Sequence, residues 1–426
     1  MPSSTTSTEH TLSLTKLLAS VSLSSTMSTY PKHEDQYYTP QTASVGSFAA
    51  HDGPEAEAEA PKIPLAFQPL TIKNLTLPNR ILVSPMCTYS AKNGFPSDYH
   101  FVHYGSFAMH GAGLVMIEAT GVQATGRISP ADLGIWADEH AIGYKRIVDF
   151  VHNHTGKIGI QLSHAGRKAS VDGWYNKSDP SEFWKDNVVG PTGGFQWDES
   201  HVVPREISVD EIQQVVKDFG AAARRADAAG FDVVEIQGAH GYLLHAFLSP
   251  YSNKRTDKYG GSVENRARFL LEVVAEVRAN FSSEKPIFVR LSATDFMEHV
   301  DDQASLNIEM TVEICKLLRD AGVDLIDVSA GGNSPLQKIA VSPGYQVGYA
   351  ERIKKEVPGV LVGSVGLIVD GPQANKILES GQADVVSAGR PFLRNPNFVE
   401  IAAKELGIRP KYITQNEVAH ASRRRR

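Results

Sequence analysis

Residues 208–238 read SVDEIQQVVKDFGAAARRADAAGFDVVEIQG, and this stretch decides the fold. Its first part carries two acidic residues, Asp210 and Glu211, in the opening turn and ends at a glycine, Gly230; these signals start and stop a helix. The short apolar run 232–237 that follows is bounded by small residues, as is typical of a buried parallel strand. The stretch therefore predicts one helix followed by one buried strand.

The same unit recurs along the chain. Strict alternation of strand and helix favours a parallel sheet with right-handed crossovers. Eight units favour closure into a (β/α)8 TIM barrel, because an open dinucleotide-binding sheet needs a G-x-G-x-x-G turn after its first strand and none is present there. The predicted strands are 80–85, 113–119, 157–162, 232–237, 287–291, 325–328, 360–363 and 384–388. The predicted helices are 141–152, 208–230, 263–279, 308–321, 347–356, 372–379 and 396–406.

Three further regions flank or interrupt this pattern. Residues 1–60 are rich in Ser and Thr and end in an acidic EAEAEA stretch, so they have too little apolar surface to offset the entropy of ordering. We predict a disordered leader over 1–60, the barrel over 61–410 and a C-terminal tail over 411–426. The insert 170–205 follows the third strand and carries three tryptophans. We expect it to form a lid over the barrel mouth.

Composition excludes several classes of function. The net charge of −6 gives no basic field that would attract nucleic acid or acidic lipid. Two cysteines, Cys87 and Cys315, form neither a disulfide framework nor a metal-ligand pattern. No apolar stretch reaches the roughly 18 residues that cross a bilayer, and a secretory signal is lacking at the start. A cytoplasmic location is predicted, without nucleic acid, membrane or metal partners.

The residues that carry chemistry are expected at the carboxyl ends of the strands, where such barrels hold their active sites. The first strand ends in Ser84, Pro85, Met86 and Cys87, with Tyr89 close behind. On its own this segment is equally compatible with a turn that contains an incidental buried cysteine.

The next two strands contribute a small residue and an amide. Ala119 ends the second strand, where its small side chain lets a planar ring approach the backbone. Gln161 ends the third strand, and its amide can both donate and accept toward a heterocycle. A purely structural hydrogen bond is the alternative for Gln161.

The fourth strand delivers the richest set of side chains. Gln237 and His240 are neutral hydrogen-bonding groups three residues apart, and Tyr242 follows two residues later. Together they could hold a carbonyl oxygen and supply a proton. A structural histidine with satisfied hydrogen bonds is the alternative for His240.

The remaining strands contribute cations and glycines. Arg290 ends the fifth strand and must be paired, because an isolated buried charge is very costly. It suits the electron-rich edge of a reduced flavin, or else an internal ion pair. Gly366 and Gly389 follow the last two strands and leave backbone N–H groups open for the usual barrel phosphate site. Arg390 adds a bidentate donor for the phosphate.

In combination these segments resemble the Old Yellow Enzyme family, in its YqjM-like branch with a cysteine after the first strand. The resemblance covers about residues 62–410. Five motifs in order carry it: SPMCTYS at 84–90, GRISPADLGIWADEH at 126–140, KIGIQLSHAGRK at 157–168, HGYLLHAFLSPYSNKRTDKYGGSVENR at 240–266 and FVRLSA at 288–293.

The resemblance implies an ene-reductase with non-covalent FMN at the barrel mouth and NADPH as hydride donor. An α,β-unsaturated carbonyl or nitro compound would then take up hydride at its β-carbon. Tyr242 would protonate the α-carbon, Gln237 and His240 would hold the substrate oxygen, and Tyr89 would line the substrate pocket. The implied flavin-ring contacts are Ser84, Pro85, Met86, Cys87, Ala119, Gln161 and Arg290, with Cys87 tuning the potential, and the implied phosphate contacts are Gly366, Gly389 and Arg390.

Two departures from the family pattern stand out. The first member of the pair on the fourth strand is usually histidine, whereas this chain has Gln237. Related chains often end in an aromatic-Arg segment that enters a neighbouring subunit's pocket, and this chain ends in HASRRRR instead. A homodimer or homotetramer therefore stays open, as does NADH against NADPH. A flavin isomerase or desaturase of the same fold, or a flavin-binding protein without turnover, are the alternatives.

Overall fold

Eight parallel strands close into a barrel in the computed structural model, which describes residues 40–41, 43–49, 62–175, 177–300 and 304–420. Neighbours in sequence pair with one another and the last strand pairs with the first, so the barrel has no free edge. The predicted fold class is confirmed, and each predicted strand overlaps an observed one. The strands are β1 Ile81–Val83, β2 Leu114–Gly121, β3 Ile158–Ser163, β4 Val233–Gly238, β5 Ile287–Ser292, β6 Leu325–Ser329, β7 Leu361–Ser364 and β8 Val385–Ala388.

Helices surround the barrel, and the best predicted one is the third. Ser208 caps its start, since the Ser208 hydroxyl accepts a hydrogen bond from the backbone N–H of Glu211 at 3.2 Å. Gly230 ends it in the left-handed conformation, with φ of 96°. The helices described are α1 Asp98–Met109, α2 Asp138–Asn153, α3 Val209–Ala229, α4 Leu243–Leu248, α5 Val263–Asn280, α6 Ile308–Asp320, α7 Val347–Glu356, α8 Gly371–Glu379, α9 Arg390–Arg394, α10 Phe398–Glu405 and α11 Glu417–His420.

Two helix predictions need correction. Helix α1 was not predicted, because its apolar residues lie on both faces: Tyr104 and Phe107 are buried while Tyr99 and Val102 are exposed. The helix predicted over 396–406 begins only at Phe398, and the short α9 precedes it. Periodicity fails where apolar residues are not confined to one side of a helix.

The barrel interior is apolar at its amino end and polar at its carboxyl end. An antiparallel hairpin, Leu70–Ile72 with Leu75–Leu77, packs with Leu82, Val233 and Leu325 in one buried cluster and closes the amino end. The polar interior side chains lie toward the other end, where each strand stops. This asymmetry leaves the carboxyl end as the place for chemistry.

The insert between β3 and α3 lies across the mouth of the barrel, as predicted. The Tyr175 hydroxyl donates to the carbonyl of Thr88 at 2.6 Å, and the Trp184 indole N–H donates to the carbonyl of Thr125 at 2.7 Å. The Trp197 indole N–H donates to the carbonyl of Gly332 at 3.0 Å. These acceptors lie in the loops after β1, β2 and β6, so the insert ties three rim loops together.

Part of the predicted leader packs beside the C-terminal segment. Phe48 forms an antiparallel bridge with Pro410, and the Gly46 N–H donates to the carbonyl of Lys411 at 2.8 Å. Most of residues 1–60, with 421–426, lies outside the described residues, and the three-part division of the chain stays a prediction. Among the helices described, none is long and apolar enough to cross a membrane.

Candidate active site

A cleft of about 290 Å³ opens at the carboxyl ends of the strands. Its lining comes from the ends of both the first and the last strands, which are neighbours where the barrel closes, so residues far apart in sequence meet there. Eight of the predicted site residues line it: Ser84, Pro85, Met86, His240, Arg290, Gly366, Gly389 and Arg390.

One end of the cleft carries two unpaired cations. Arg390 and Arg394 line it with exposed side chains, and neither makes a hydrogen bond or ion pair with any described residue. Gly366 has φ of 121°, and a Cβ there would lie 2.6 Å from the Gln346 side-chain nitrogen. Free guanidinium groups beside bare glycine backbone fit a phosphate group. Arg394 was not predicted, although it follows Arg390 by one helical turn.

Arg290 is buried on one wall of the cleft and is paired. Its Nε lies 3.0 Å from Asp327 Oδ2 on β6, and its Nη2 donates to the Ser84 hydroxyl at 2.8 Å. The internal ion pair and the place in the cleft are therefore both observed. Asp327 was not predicted, because pairing between strands of the closed barrel is a tertiary contact that no local pattern encodes.

Gln161 and Gln237 form a directed chain of amides. Gln161 Nε2 donates to Glu235 Oε1 at 2.7 Å, which leaves Gln161 Oε1 to accept from Gln237 Nε2 at 3.3 Å. Gln237 Oε1 accepts from the backbone N–H of Ala239 at 3.1 Å. The NH2 group of Gln237 is thereby directed toward Gln161 Oε1 and, at 3.4 Å, His240 Nδ1.

His240 is held in a strained turn and is neutral. Its φ is 61°, its backbone N–H donates to the Ser292 hydroxyl, and Lys168 Nζ donates to its carbonyl at 3.0 Å. Its ring Nε2 lies 2.7 Å from the Ser329 hydroxyl. Burial, followed by the charge of Arg290, lowers the His240 pKa well below its usual value. The ring is thus an uncharged link to β6.

Cys87, Tyr89 and Tyr242 pack, with Val171 and Trp184 of the insert, against a buried apolar cluster of Ile128, Ala165, Ala169 and Val188. Burial raises the pKa of the Tyr242 phenol well above its usual value, and the neighbouring Cys87 and Tyr89 add to this. Burial also raises the pKa of the Cys87 thiol. Both groups therefore keep their protons at neutral pH.

Six predicted residues lie outside the lining of the cleft. Two of them lie next to lining residues. Cys87 follows Met86 in the chain, and the Gln237 amide faces the ring of His240, and both Met86 and His240 line the cleft. The six are Cys87, Tyr89, Ala119, Gln161, Gln237 and Tyr242.

Sequence analysis missed a buried acid behind the first rim loop. Glu118 accepts hydrogen bonds from the Thr88 N–H at 2.9 Å, the Thr88 hydroxyl at 3.1 Å and the Tyr104 hydroxyl at 2.6 Å. Burial raises its pKa to about 7. Glu118 lies at a register shift in β2, between Ile117 and Thr120. An acid within an apolar strand was the available signal, and its role is to hold the segment between Cys87 and Tyr89.

Comparison with known proteins shows the family to which the chain belongs. The model of the NADH:flavin oxidoreductase / NADH oxidase family matches residues 65–408. A NADH:flavin oxidoreductase of Gibberella zeae is 46% identical over 393 residues, which cover 89% of this chain and 92% of that protein. The NADPH dehydrogenase of Bacillus subtilis is 44% identical, over 80% of this chain and 94% of that protein. The structure of morphinone reductase is 30% identical with a TM-score of 0.68, over 82% of this chain and 91% of that one.

Fold, cleft and comparisons define a flavin-dependent oxidoreductase built on a (β/α)8 barrel. The chain belongs to the NADH:flavin oxidoreductase / NADH oxidase family, the Old Yellow Enzyme family, and its Bacillus relatives fit the predicted YqjM-like branch. The cofactors of this family are FMN and NAD(P)H, as predicted.

Proposed function

We propose that this enzyme is an ene-reductase that uses NAD(P)H to reduce the activated C=C bond of α,β-unsaturated carbonyl compounds. The observation that carries the proposal is the arrangement after β4. There Gln237 carries a neutral amide NH2 and Tyr242, five positions later in the chain, carries a protonated phenol. Such a pair can polarise a carbonyl oxygen and then supply a proton.

The cleft suits FMN by the chemistry of its lining. Arg390, Arg394 and the backbone at Gly366 and Gly389 would hold the phosphate, because two cations without a partner among the described protein residues can bind an anion there. Toward the other end, Arg290 would face the ring edge that becomes electron-rich on reduction. The other proposed ring contacts are Ser84, Pro85, Met86, Cys87, Ala119 and Gln161. When bound, FMN supplies the hydride chemistry.

Gln237 is proposed as the donor to the substrate oxygen. Its two amide hydrogens face Gln161 Oε1 at 3.3 Å and His240 Nδ1 at 3.4 Å, so the substrate oxygen would replace one of these two long contacts. A donor aimed at a developing enolate oxygen is worth about 3 kcal/mol of transition-state stabilisation. His240 was predicted as a second donor, but its Nε2 is engaged by Ser329 and its Nδ1 faces the Gln237 amide at 3.4 Å. In this arrangement His240 orients Gln237.

Tyr242 is proposed to donate the proton to the α-carbon. A phenol whose pKa is raised by burial holds its proton until a stronger base develops beside it, as the enolate carbon would. Cys87, Tyr89 and Trp184 of the insert pack against the same buried apolar cluster. Tyr89 is a proposed wall of the substrate pocket.

The experiment is steady-state oxidation of NADPH and of NADH under anaerobic conditions, with and without cyclohexenone. The proposal expects oxidation that depends on the enone and yields the saturated ketone. Isomerisation or desaturation without net consumption of NAD(P)H would favour the alternative chemistries of this fold. Equal rates with and without every enone tested would contradict the proposal. The cytoplasmic location and the oligomeric state stay predictions.

A further inference from the structure

Three ionisable side chains lie together inside the barrel below the cleft. Arg290 on β5, Glu235 on β4 and Asp327 on β6 are each at most 4% exposed. Arg290 pairs with Asp327, while Glu235 and Asp327 are hydrogen-bonding neighbours. The group therefore contains two acids and one base.

Asp327 has one oxygen that its surroundings leave unsatisfied. Its Oδ2 faces the guanidinium group, but Oδ1 is buried and receives no hydrogen bond from the donors of any described residue. With both acids ionised, the interior would hold a net charge of −1 and a bare carboxylate oxygen, which is costly away from water. One proton between the two acids removes both problems.

The hydrogen bonds indicate which acid keeps that proton. Asp327 is neutralised directly by Arg290, whereas Glu235 Oε1 accepts only from the neutral amide of Gln161. Burial, followed by the charge of Asp327, raises the pKa of Glu235 to about 8, although Arg290 opposes the shift. The other described side chains around the small cavity between these acids are apolar or neutral: Leu82, Val83, Pro85, Met116, Phe288, Leu325, Val385 and Ser387.

We propose that Glu235 is a positioning residue, a neutral carboxylic acid that donates its proton to Asp327 Oδ1 and orients the amide of Gln161. Because Gln161 Nε2 is used by Glu235, Gln161 Oε1 faces Gln237 and fixes the direction of the whole amide chain. The proton also leaves a single ion pair beside the cleft, between Arg290 and Asp327, with no net charge. The inference rests on the proposed FMN site but not on which compound is reduced.

Infrared spectroscopy tests the proton directly. We expect a carbonyl stretch of a protonated carboxylic acid in wild-type protein, lost on titration with a midpoint near pH 8, and absent from Glu235→Gln. Glu118→Gln is the matched control, since it removes another buried acid, whose pKa is about 7, and should leave the component that titrates near pH 8 in place. The band is recorded with and without FMN, so failure to reduce an enone leaves the test intact.

A second variant covers the case that Glu235→Gln does not fold. In Asp327→Asn, Glu235 becomes the only acid beside Arg290, so we expect it to ionise and the band to disappear at neutral pH. In wild type the affinity for FMN should change as the pH passes through 8, and in Glu235→Gln that step should vanish. A wild-type protein without a band component that titrates near pH 8, or a component with that midpoint that persists in both variants, would overturn the inference.

Discussion

The side-chain nitrogen of Gln237 lies 3.4 Å from Nδ1 of His240, three residues further along the loop that ends β4. Gln237 Oε1 is held by the Ala239 N–H, and His240 Nε2 is held by Ser329. Gln237 and His240 therefore act as one oriented amide, and not as two independent hydrogen-bond donors. The proposed activation of the substrate carbonyl depends on that amide.

Removal of the Gln237 amide should slow catalysis without loss of cofactor. We expect Gln237→Ala to lower kcat/KM for cyclohexenone by about 100-fold, because one oriented donor to the oxygen is lost. Gln237→His is the informative partner variant, since it restores a ring donor and should change both rate and preference across ketones, imides and nitro compounds. Unchanged kinetics in both variants would contradict a role for Gln237 in binding the substrate oxygen.

Replacement of the Tyr242 phenol should affect only one of the two half-reactions, which are reduction of the flavin by NADPH and reduction of the enone by the flavin. We expect Tyr242→Phe to reduce the rate of enone reduction by about 100-fold or more, because the proton donor is absent. Oxidation of NADPH in the first half-reaction should stay near wild type. Tyr412→Phe, a tyrosine stacked on His420 near the C-terminus, serves as the control. Equal loss in both half-reactions would point to a structural role for Tyr242.

The two unpaired arginines should govern affinity for FMN. We expect Arg390→Ala and Arg394→Ala each to raise the Kd for FMN by about 10-fold or more, because a charge-assisted contact to phosphate is lost. Titration of the protein stripped of FMN measures this, with riboflavin as the ligand that lacks the phosphate. Lys404→Ala, an exposed cation on α10, should leave the Kd unchanged. Equal effects on riboflavin and FMN would contradict a phosphate role.

Glu118 should make stability depend on pH in a definite direction. Its pKa in the folded protein is raised to about 7 from 4.5, so between these values the unfolded chain loses the proton first. The free energy of unfolding should therefore fall as the pH rises through this window, by on the order of 3 kcal/mol. Urea unfolding of wild type and Glu118→Gln measures this contribution, because the fall in the free energy of unfolding over that window should be smaller in the variant by this amount. An identical pH dependence of stability in both proteins would contradict a raised pKa for Glu118.

Sequence reasoning reached the fold because its signals are local. A run such as 232–237 is apolar throughout and bounded by small residues, and alternation of eight such runs leaves few topologies. Helix α1 escaped because Tyr99 and Val102 are apolar on its exposed face while Tyr104 and Phe107 are apolar on its buried one. Local periodicity cannot separate two apolar faces.

The candidate site divides along the same line. Residues such as Arg290 and Gly389 could be predicted, because the barrel brings all carboxyl strand ends to one mouth. Partners could not be predicted, since Asp327 meets Arg290 and Ser329 meets His240 only once the barrel closes. The roles proposed for the site residues stay predictions that the variants above test.

The central claim is that the flavin held at this mouth passes hydride from NADPH to an enone. The most direct test is the visible spectrum of the purified protein under anaerobic conditions. We predict a yellow protein whose flavin absorbance is bleached by NADPH and restored by cyclohexenone, with slow restoration in Tyr242→Phe. A colourless protein that does not take up FMN, or a bleached flavin that no enone reoxidises, would contradict the account.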